Sequence, residues 1–138
     1  DLSGVFVVTT AVVPQMIERH RGVIINISSL NAEGARPTIA PYCAAKAGLE
    51  ALTRSMAAEW GKYNIRANAI APGYFLTDLT KPLADDPQFD AWVTDNVPLN
   101  RWGNPSELLG TAIFLASEAS SYITGRTISV VGGWRASV

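Results

Sequence analysis

Apolar residues recur at helical spacing along the first part of the chain, from Leu2 to Ile17. This alternation of three- and four-residue steps predicts a helix over about residues 2–19. Pro14 lies inside that stretch, and its ring crowds the carbonyl group of Thr10, so we expect the helix to bend there.

The residues after this stretch predict where the first helix ends. Gly22 is expected to end it, because glycine readily takes the backbone conformation that follows a helix. His20 is expected to be a solvated cation in the last turn, where positive charge suits the negative end of the helix dipole. His20 is therefore not proposed as a ligand.

Three later stretches predict strands, separated by further helices. Residues 23–27 are apolar apart from one asparagine and are typical of a strand buried on both faces. The elements predicted after it are, in chain order, a helix over residues 41–61, a strand over 65–71, a helix over about 89–95, a helix opened by Pro105 and Glu107, and a strand over 127–131. This alternation of helix and strand predicts an α/β fold with a parallel sheet and helices on both faces.

The predicted helix over 41–61 differs from the others in composition. It carries many alanines and one internal glycine, Gly48, and such a small-sided surface allows another helix or the sheet to approach closely. Pro41 is suited to its first turn, and Gly61 is expected to end it.

Composition narrows the class of protein. The chain has 138 residues, of which 48% are hydrophobic, enough for one domain with a real core. Its formal net charge of −1 disfavours nucleic acid as a partner. No apolar run approaches the roughly 18 residues of a spanning helix, so no membrane partner is expected. The sequence shows no signal peptide, so a cytoplasmic location is expected. Cys43 and His20, each the only residue of its type, argue against a disulfide, most zinc sites and His-based triads.

Polar side chains fall where the predicted strands end, which is where parallel α/β sheets bind ligands. Ser29 closes the first strand, and Pro72 and Gly73 follow the second. Tyr42 and Lys46, four residues apart, share one face of the predicted helix that connects these two strands. An ammonium group beside a phenol favours the phenolate, which gives a side chain able to accept or donate a proton. Taken alone, this pair is also compatible with an ordinary surface contact on a helix.

These residues together resemble the short-chain dehydrogenase/reductase family. Ser29, Tyr42 and Lys46 match its Ser…Tyr-x-x-x-Lys signature, and residues 68–77 match its Asn-x-x-x-Pro-Gly-x-x-x-Thr segment. The resemblance covers the whole chain. It implies that residues 1–138 form a single partial domain, the C-terminal part of a Rossmann-type doubly wound parallel sheet.

The resemblance also implies roles for particular residues. Tyr42 would be the general acid/base, Lys46 would bind the nicotinamide ribose and favour the phenolate, and Ser29 would polarise the substrate carbonyl. The cofactor would be NAD or NADP, and the residues bordering it, besides Tyr42 and Lys46, would be Pro72, Gly73, Phe75 and Thr77. The substrate would be a small alcohol or ketone, and the intact protein a homodimer or homotetramer.

Within the family, three segments resemble gluconate 5-dehydrogenases and related sugar-acid reductases: residues 35–42, 72–75 and 101–103. A sugar acid such as gluconate or 5-keto-gluconate is therefore the expected substrate. Two alternatives stay open: a reductase of ketones carried on acyl carrier protein, and a non-catalytic oligomerisation module built on the helices over 2–19 and 41–61.

Two departures from the family pattern stand out. The family's asparagine on the helix before the serine strand is matched here by Asp1, whose carboxylate cannot donate a hydrogen bond but can still hold a water. The glycine-rich pyrophosphate loop, G-x-x-x-G-x-G or G-x-G-x-x-G, does not occur in these residues. Because the chain opens at Asp1 without a methionine, we expect a piece of a longer protein whose N-terminal βαβ half is absent here. The first strand would then lack one neighbour.

The other reactive or aromatic residues are given structural interpretations. Cys43 is expected to be a half-buried thiol. Trp92, within residues 77–99, is assigned to a segment that closes over substrate. The tryptophans at 60, 102 and 134 are expected in a core or an interface. No metal is expected, because the acidic residues of this region read as a solvated face: Asp85, Asp86, Asp90 and Asp95.

Overall fold

The structure is a computed structural model that describes residues 2–134 and 136. Its helices and strands, in chain order, are α1 (Leu2–Glu18), β1 (Gly22–Ile27), α2 (Ala40–Trp60), β2 (Ile65–Pro72), α3 (Lys81–Ala84), α4 (Pro87–Asn96), α5 (Leu109–Ala116) and β3 (Thr127–Val130). Short 3₁₀ turns lie at Leu30–Ala32, Gly61–Tyr63, Pro105–Leu108 and Glu118–Ser120.

The three strands form one parallel sheet in the order β1-β2-β3. Gly22 pairs with Ile65 at the start of β1, and Ile27 pairs with Ile70 at its end. The predicted parallel α/β fold is therefore confirmed. The carboxyl ends of β1 and β2 lie side by side and form the carboxyl-end edge of the sheet. Within the described residues β1 is an outer strand of the sheet and pairs only with β2.

The main core lies between one face of the sheet and the helices α1 and α2. Its buried members are Val13, Ile24, Met56, Ala57, Ile65 and Ala67. Burying a side chain of the size of isoleucine or methionine stabilises the fold by about 1.5–3 kcal/mol, so this cluster fixes α2 against the sheet.

The small-sided surface predicted for α2 is confirmed. A Cβ atom placed on Gly48 would lie 2.9 Å from a methyl carbon of Leu2, so α1 approaches α2 closely at this point. Any larger residue at position 48 would have to displace the Leu2 side chain.

The expectation that β1 is buried on both faces is wrong. Ile24 and Asn26 are buried, but Val23 and Ile25 are only half-buried and Ile27 is 52% exposed. The reason is tertiary: α1 and α2 cover one face of β1, whereas the described residues cover the opposite face only in part. The buried Asn26 amide donates a 2.8 Å hydrogen bond to Thr53 Oγ1 on α2.

The end of α1 also differs from the prediction. The helix ends at Glu18, and His20 takes the left-handed conformation with φ 48°, so this histidine lies in the turn after the helix rather than in its last turn. Gly22 is instead the first residue of β1. A Cβ atom on Gly22 would lie 2.7 Å from Met16 Sδ, so a larger residue there would have to displace the Met16 side chain.

The chain leaves α2 through a different residue from the one expected. Gly61 keeps a right-handed conformation with φ −56° and begins a 3₁₀ turn. The left-handed residue is Asn64, with φ 58°, and its side-chain amide donates to the His20 carbonyl at 3.2 Å.

The helix expected at Pro105 begins as a 3₁₀ turn before it becomes α5. Asn104 and Glu107 form a reciprocal capping box around that turn. Along the described residues, no helix combines the length and apolar character that crossing a membrane requires.

Candidate active site

Ser29 lies just beyond the end of β1, at the carboxyl-end edge of the sheet. Its side chain is buried, and its Oγ accepts a 3.2 Å hydrogen bond from the Asn31 backbone N–H. That bond fixes the oxygen and uses only an acceptor position, so the hydroxyl hydrogen is available to a substrate oxygen.

Tyr42 and Lys46 lie on the same side of α2, as their spacing predicts. Lys46 Nζ is 5.7 Å from the centroid of the Tyr42 ring. The same nitrogen donates a 2.8 Å hydrogen bond to the carbonyl of Ile27, the last residue of β1. Lys46 is therefore held at the end of the strand that leads to Ser29, and Tyr42 is 38% exposed and open to a ligand.

A buried polar contact connects the end of β1 to α2 beneath these residues. Ser28 Oγ donates a 2.7 Å hydrogen bond to the carboxylate of Glu50, which is itself buried. Sequence reasoning missed Glu50. Its position one helical turn after Lys46 was the available signal, since it places the carboxylate on the sheet-facing side of α2.

Gly73 marks the end of β2 and lies against β3. Its backbone N–H donates to the Val130 carbonyl at 2.9 Å. A Cβ atom on Gly73 would lie 2.9 Å from the backbone Cα of Val131, which cannot move aside as a side chain can, so only glycine fits. Pro72, the residue before it, is the last of β2.

Phe75 and Thr77 continue this edge. Phe75 is buried, and its ring occupies the space where a Cβ on Gly103 would lie, 2.6 Å from the ring. Its carbonyl accepts a 2.6 Å hydrogen bond from Thr80 Oγ1, and the Thr77 N–H donates to that same hydroxyl at 2.9 Å. These contacts fix the turn that leads into α3.

An aromatic cluster attaches α4 to this edge. The ring centroid of Tyr74 lies between 5.1 and 5.9 Å from four other rings. The members of the cluster are Tyr74, Phe89, Trp92, Trp102 and Trp134. Trp92 therefore packs against Tyr74 and Trp134, which lie outside residues 77–99.

Arg36 reaches the same cluster from the loop between Ser29 and Tyr42. Its guanidinium carbon lies 4.6 Å from the centroid of the Phe89 ring. Burial raises the pKa of the Tyr74 phenol, and the positive charge of Arg36 beside it acts in the opposite direction. Sequence reasoning missed this contact.

Three of the four aspartates considered for a metal site make structural contacts. Asp85 pairs with Lys81 at 3.0 Å, the Asp86 carboxylate caps α4, and Asp90 accepts a 2.7 Å hydrogen bond from the Trp102 indole. Arg101 binds both carboxylate oxygens of Glu107. The Arg101 side chain and the Asn104 backbone N–H together lower the pKa of Glu107 to about 2.

Two other candidates have simple outcomes. Cys43 is half-buried, as expected. Asp1, the doubtful counterpart of the family's asparagine, lies outside the described residues. Among the described residues, no group of three or more His, Cys, Asp and Glu side chains is placed to hold a metal ion.

The parallel sheet, the serine after β1 and the tyrosine and lysine on α2 match one class of protein. A family model described as enoyl-(acyl carrier protein) reductase matches residues 1–135. The chain belongs to the short-chain dehydrogenase/reductase family, as the sequence resemblance implied.

Within this family the chain is similar to enzymes named for sugar acids. It is 47% identical over 131 residues to 5-keto-D-gluconate 5-reductase of Escherichia coli strain K12, and 45% identical over 133 residues to gluconate 5-dehydrogenase of Gluconobacter oxydans strain 621H. These alignments cover 95% and 96% of this chain and 52% of each relative. The chain thus spans about half the length of the curated relatives it matches.

A solved structure of a gluconate 5-dehydrogenase also resembles this chain. The chain matches the crystal structure of a gluconate 5-dehydrogenase from Burkholderia cenocepacia J2315 in complex with NADP and tartrate, with a TM-score of 0.97 and 50% identity. The match covers 99% of this chain and 54% of that one. The described fold therefore corresponds to part of a longer dehydrogenase fold, as predicted.

Proposed function

We propose that the full-length protein is an NAD(P)-dependent oxidoreductase that interconverts a secondary alcohol and a ketone on a sugar acid such as gluconate or 5-keto-gluconate. The observation that carries this proposal is the position of Lys46, which bridges the end of β1 and the ring of Tyr42. The names of the relatives, and the NADP and tartrate bound in the Burkholderia structure, support the cofactor and a hydroxy acid as substrate.

The residues at this edge suit a nicotinamide nucleotide. An ammonium group has three N–H donors, and Lys46 uses one of them on Ile27, so donors are available for ribose hydroxyls. When bound, the nicotinamide supplies or accepts the hydride, and the protein supplies orientation and proton transfer. Gly73, Phe75 and Thr77 lie at the neighbouring strand end and are proposed to border the ring.

The proton step is assigned to Tyr42. In reduction, its hydroxyl gives a proton to the carbonyl oxygen as the carbonyl carbon gains hydride, and the product is an alcohol. The resulting phenolate is stabilised by the nearby Lys46 ammonium and regains a proton from solvent, to which Tyr42 is open. Ser29 donates a hydrogen bond to the same substrate oxygen. In oxidation each transfer runs in reverse.

The direct test is nicotinamide absorbance during turnover by the full-length protein. We expect oxidation of NADH or NADPH with 5-keto-D-gluconate, and the reverse reaction with D-gluconate. A ketone thioester of acyl carrier protein and a neutral ketone serve as comparisons. If the protein reduces only the thioester, the substrate class is wrong. If no ketone or alcohol changes the absorbance, the oxidoreductase proposal is wrong.

A further inference from the structure

Four described cations lie toward the carboxyl-end edge of the sheet, and three of them bind a carbonyl or carboxylate oxygen. Lys46 donates to the Ile27 carbonyl, Lys81 pairs with Asp85, and Arg101 is bound at both nitrogens to Glu107. The fourth is Arg36, whose guanidinium is hydrogen-bonded to the neutral hydroxyl of Tyr74. Neither of the two ion pairs found among the described residues involves Arg36.

Arg36 is held in place by aromatic rings. Its guanidinium lies 4.6 Å from the Phe89 ring centroid and beside the Tyr74 hydroxyl, and its side chain is half-buried. A ring contact holds the flat face of a guanidinium and limits its freedom, while the N–H donors point outward in the guanidinium plane. This arrangement suits two parallel hydrogen bonds to a carboxylate.

The place of Arg36 in the chain links the proposed proton-transfer residues to α4. The residue lies in the loop that starts after Ser29 and ends at the helix carrying Tyr42, and its ring partner Phe89 belongs to α4. A substrate with its reacting carbon at Tyr42 and its other end toward Tyr74 would meet Arg36 there. A negative group at its other end then meets a cation already oriented and partly shielded from water, where attraction is stronger than at an exposed site.

We propose that Arg36 binds the carboxylate of the substrate and thereby makes the site selective for sugar acids over neutral polyols. This inference rests on the proposed function and specifies the residue that recognises the acid. Lys81 is not a candidate for this role because its side chain is exposed and paired with Asp85.

The test compares D-gluconate with D-gluconamide, which has the same carbon chain and no negative charge. In the full-length protein, Arg36→Gln is expected to lower kcat/KM for gluconate by about 10- to 100-fold, mostly through KM, because a hydrogen-bonded charge pair is lost. For gluconamide, kcat/KM of the same variant should stay within about threefold of the value for the unsubstituted protein. Arg36→Lys keeps the charge without the planar fork, so its kcat/KM for gluconate should lie between those of the unsubstituted protein and Arg36→Gln.

Lys81→Gln is the matched control, since it removes one positive charge from the same side of the molecule. It should leave the ratio of kcat/KM for gluconate to that for gluconamide unchanged.

Equal losses for both substrates in Arg36→Gln would overturn the proposal, because they would mean that Arg36 only positions α4. If the unsubstituted protein uses both substrates equally, Arg36 selectivity is wrong while the oxidoreductase proposal stands. If it transfers hydride to no substrate, both proposals fail.

Discussion

Tyr42→Phe in the full-length protein is expected to lower kcat by about 100- to 10,000-fold, the usual contribution of a positioned proton donor. The substitution removes only the hydroxyl, so the ring next to Lys46 and the bond from Lys46 to Ile27 are expected to persist. The Kd for NADPH should therefore change by less than about threefold. Steady-state turnover and a fluorescence titration with NADPH measure the two quantities.

Tyr122→Phe is the control for this experiment. Tyr122 is 102% exposed and lies in the connection before β3, so its hydroxyl is given no role in the proposed chemistry. We expect unchanged kcat and KM. If Tyr42→Phe and Tyr122→Phe turn over at similar rates, Tyr42 is not the proton donor.

Asn68→Leu is expected to lower the free energy of unfolding by about 3 kcal/mol. Asn68 is fully buried in β2, where its amide nitrogen donates to the Ile123 carbonyl at 2.8 Å and its oxygen accepts from the Arg126 N–H at 3.1 Å. Leucine is similar in size but leaves both backbone groups without a partner, at a cost of about 1–3 kcal/mol each. Because these bonds hold the segment leading into β3, the loss should also loosen that strand.

Asn96→Leu provides the matched comparison. Asn96 is exposed at the end of α4, where its amide donates to the Trp92 carbonyl. Its replacement should change stability by no more than about 0.5 kcal/mol. Urea unfolding of the full-length protein measures both variants, with equal dependence on urea concentration as the check that the unfolded states are comparable. A similar stability for the two variants would contradict the role given to Asn68.

The order of the elements could be predicted from the sequence because hydrophobic spacing differs between helices and strands. The positions where helices end were harder. The prediction placed the break after α1 at Gly22 and the break after α2 at Gly61, because glycine most easily takes a positive φ. The chain uses His20 and Asn64 instead. Both residue types are enriched in that conformation, and local hydrogen bonds decide among the candidates.

The burial of β1 could not be predicted because it depends on which elements cover each face. An apolar run such as residues 23–27 has the same appearance whether one face or both are covered. The contact of Arg36 with Phe89 is beyond prediction for a related reason: it joins a loop to α4, which is far from it in sequence, and no local spacing records it.

The same-side placement of Tyr42 and Lys46 was predictable, because a difference of four residues on a helix fixes the face they share. The anchoring of Lys46 by the Ile27 carbonyl was not, since it depends on how α2 crosses the end of β1. Local geometry thus indicated the chemistry, and tertiary packing determined how the residues are held.

The proposed chemistry requires Ser29 and Tyr42 to act on one substrate oxygen. The most direct measurement is kcat for Ser29→Ala, Tyr42→Phe and the double variant of the full-length protein with 5-keto-D-gluconate. Residues that act as a unit lose activity non-additively, so the double variant should be within about threefold of Tyr42→Phe alone. A loss equal to the product of the two single losses would contradict joint action on that oxygen.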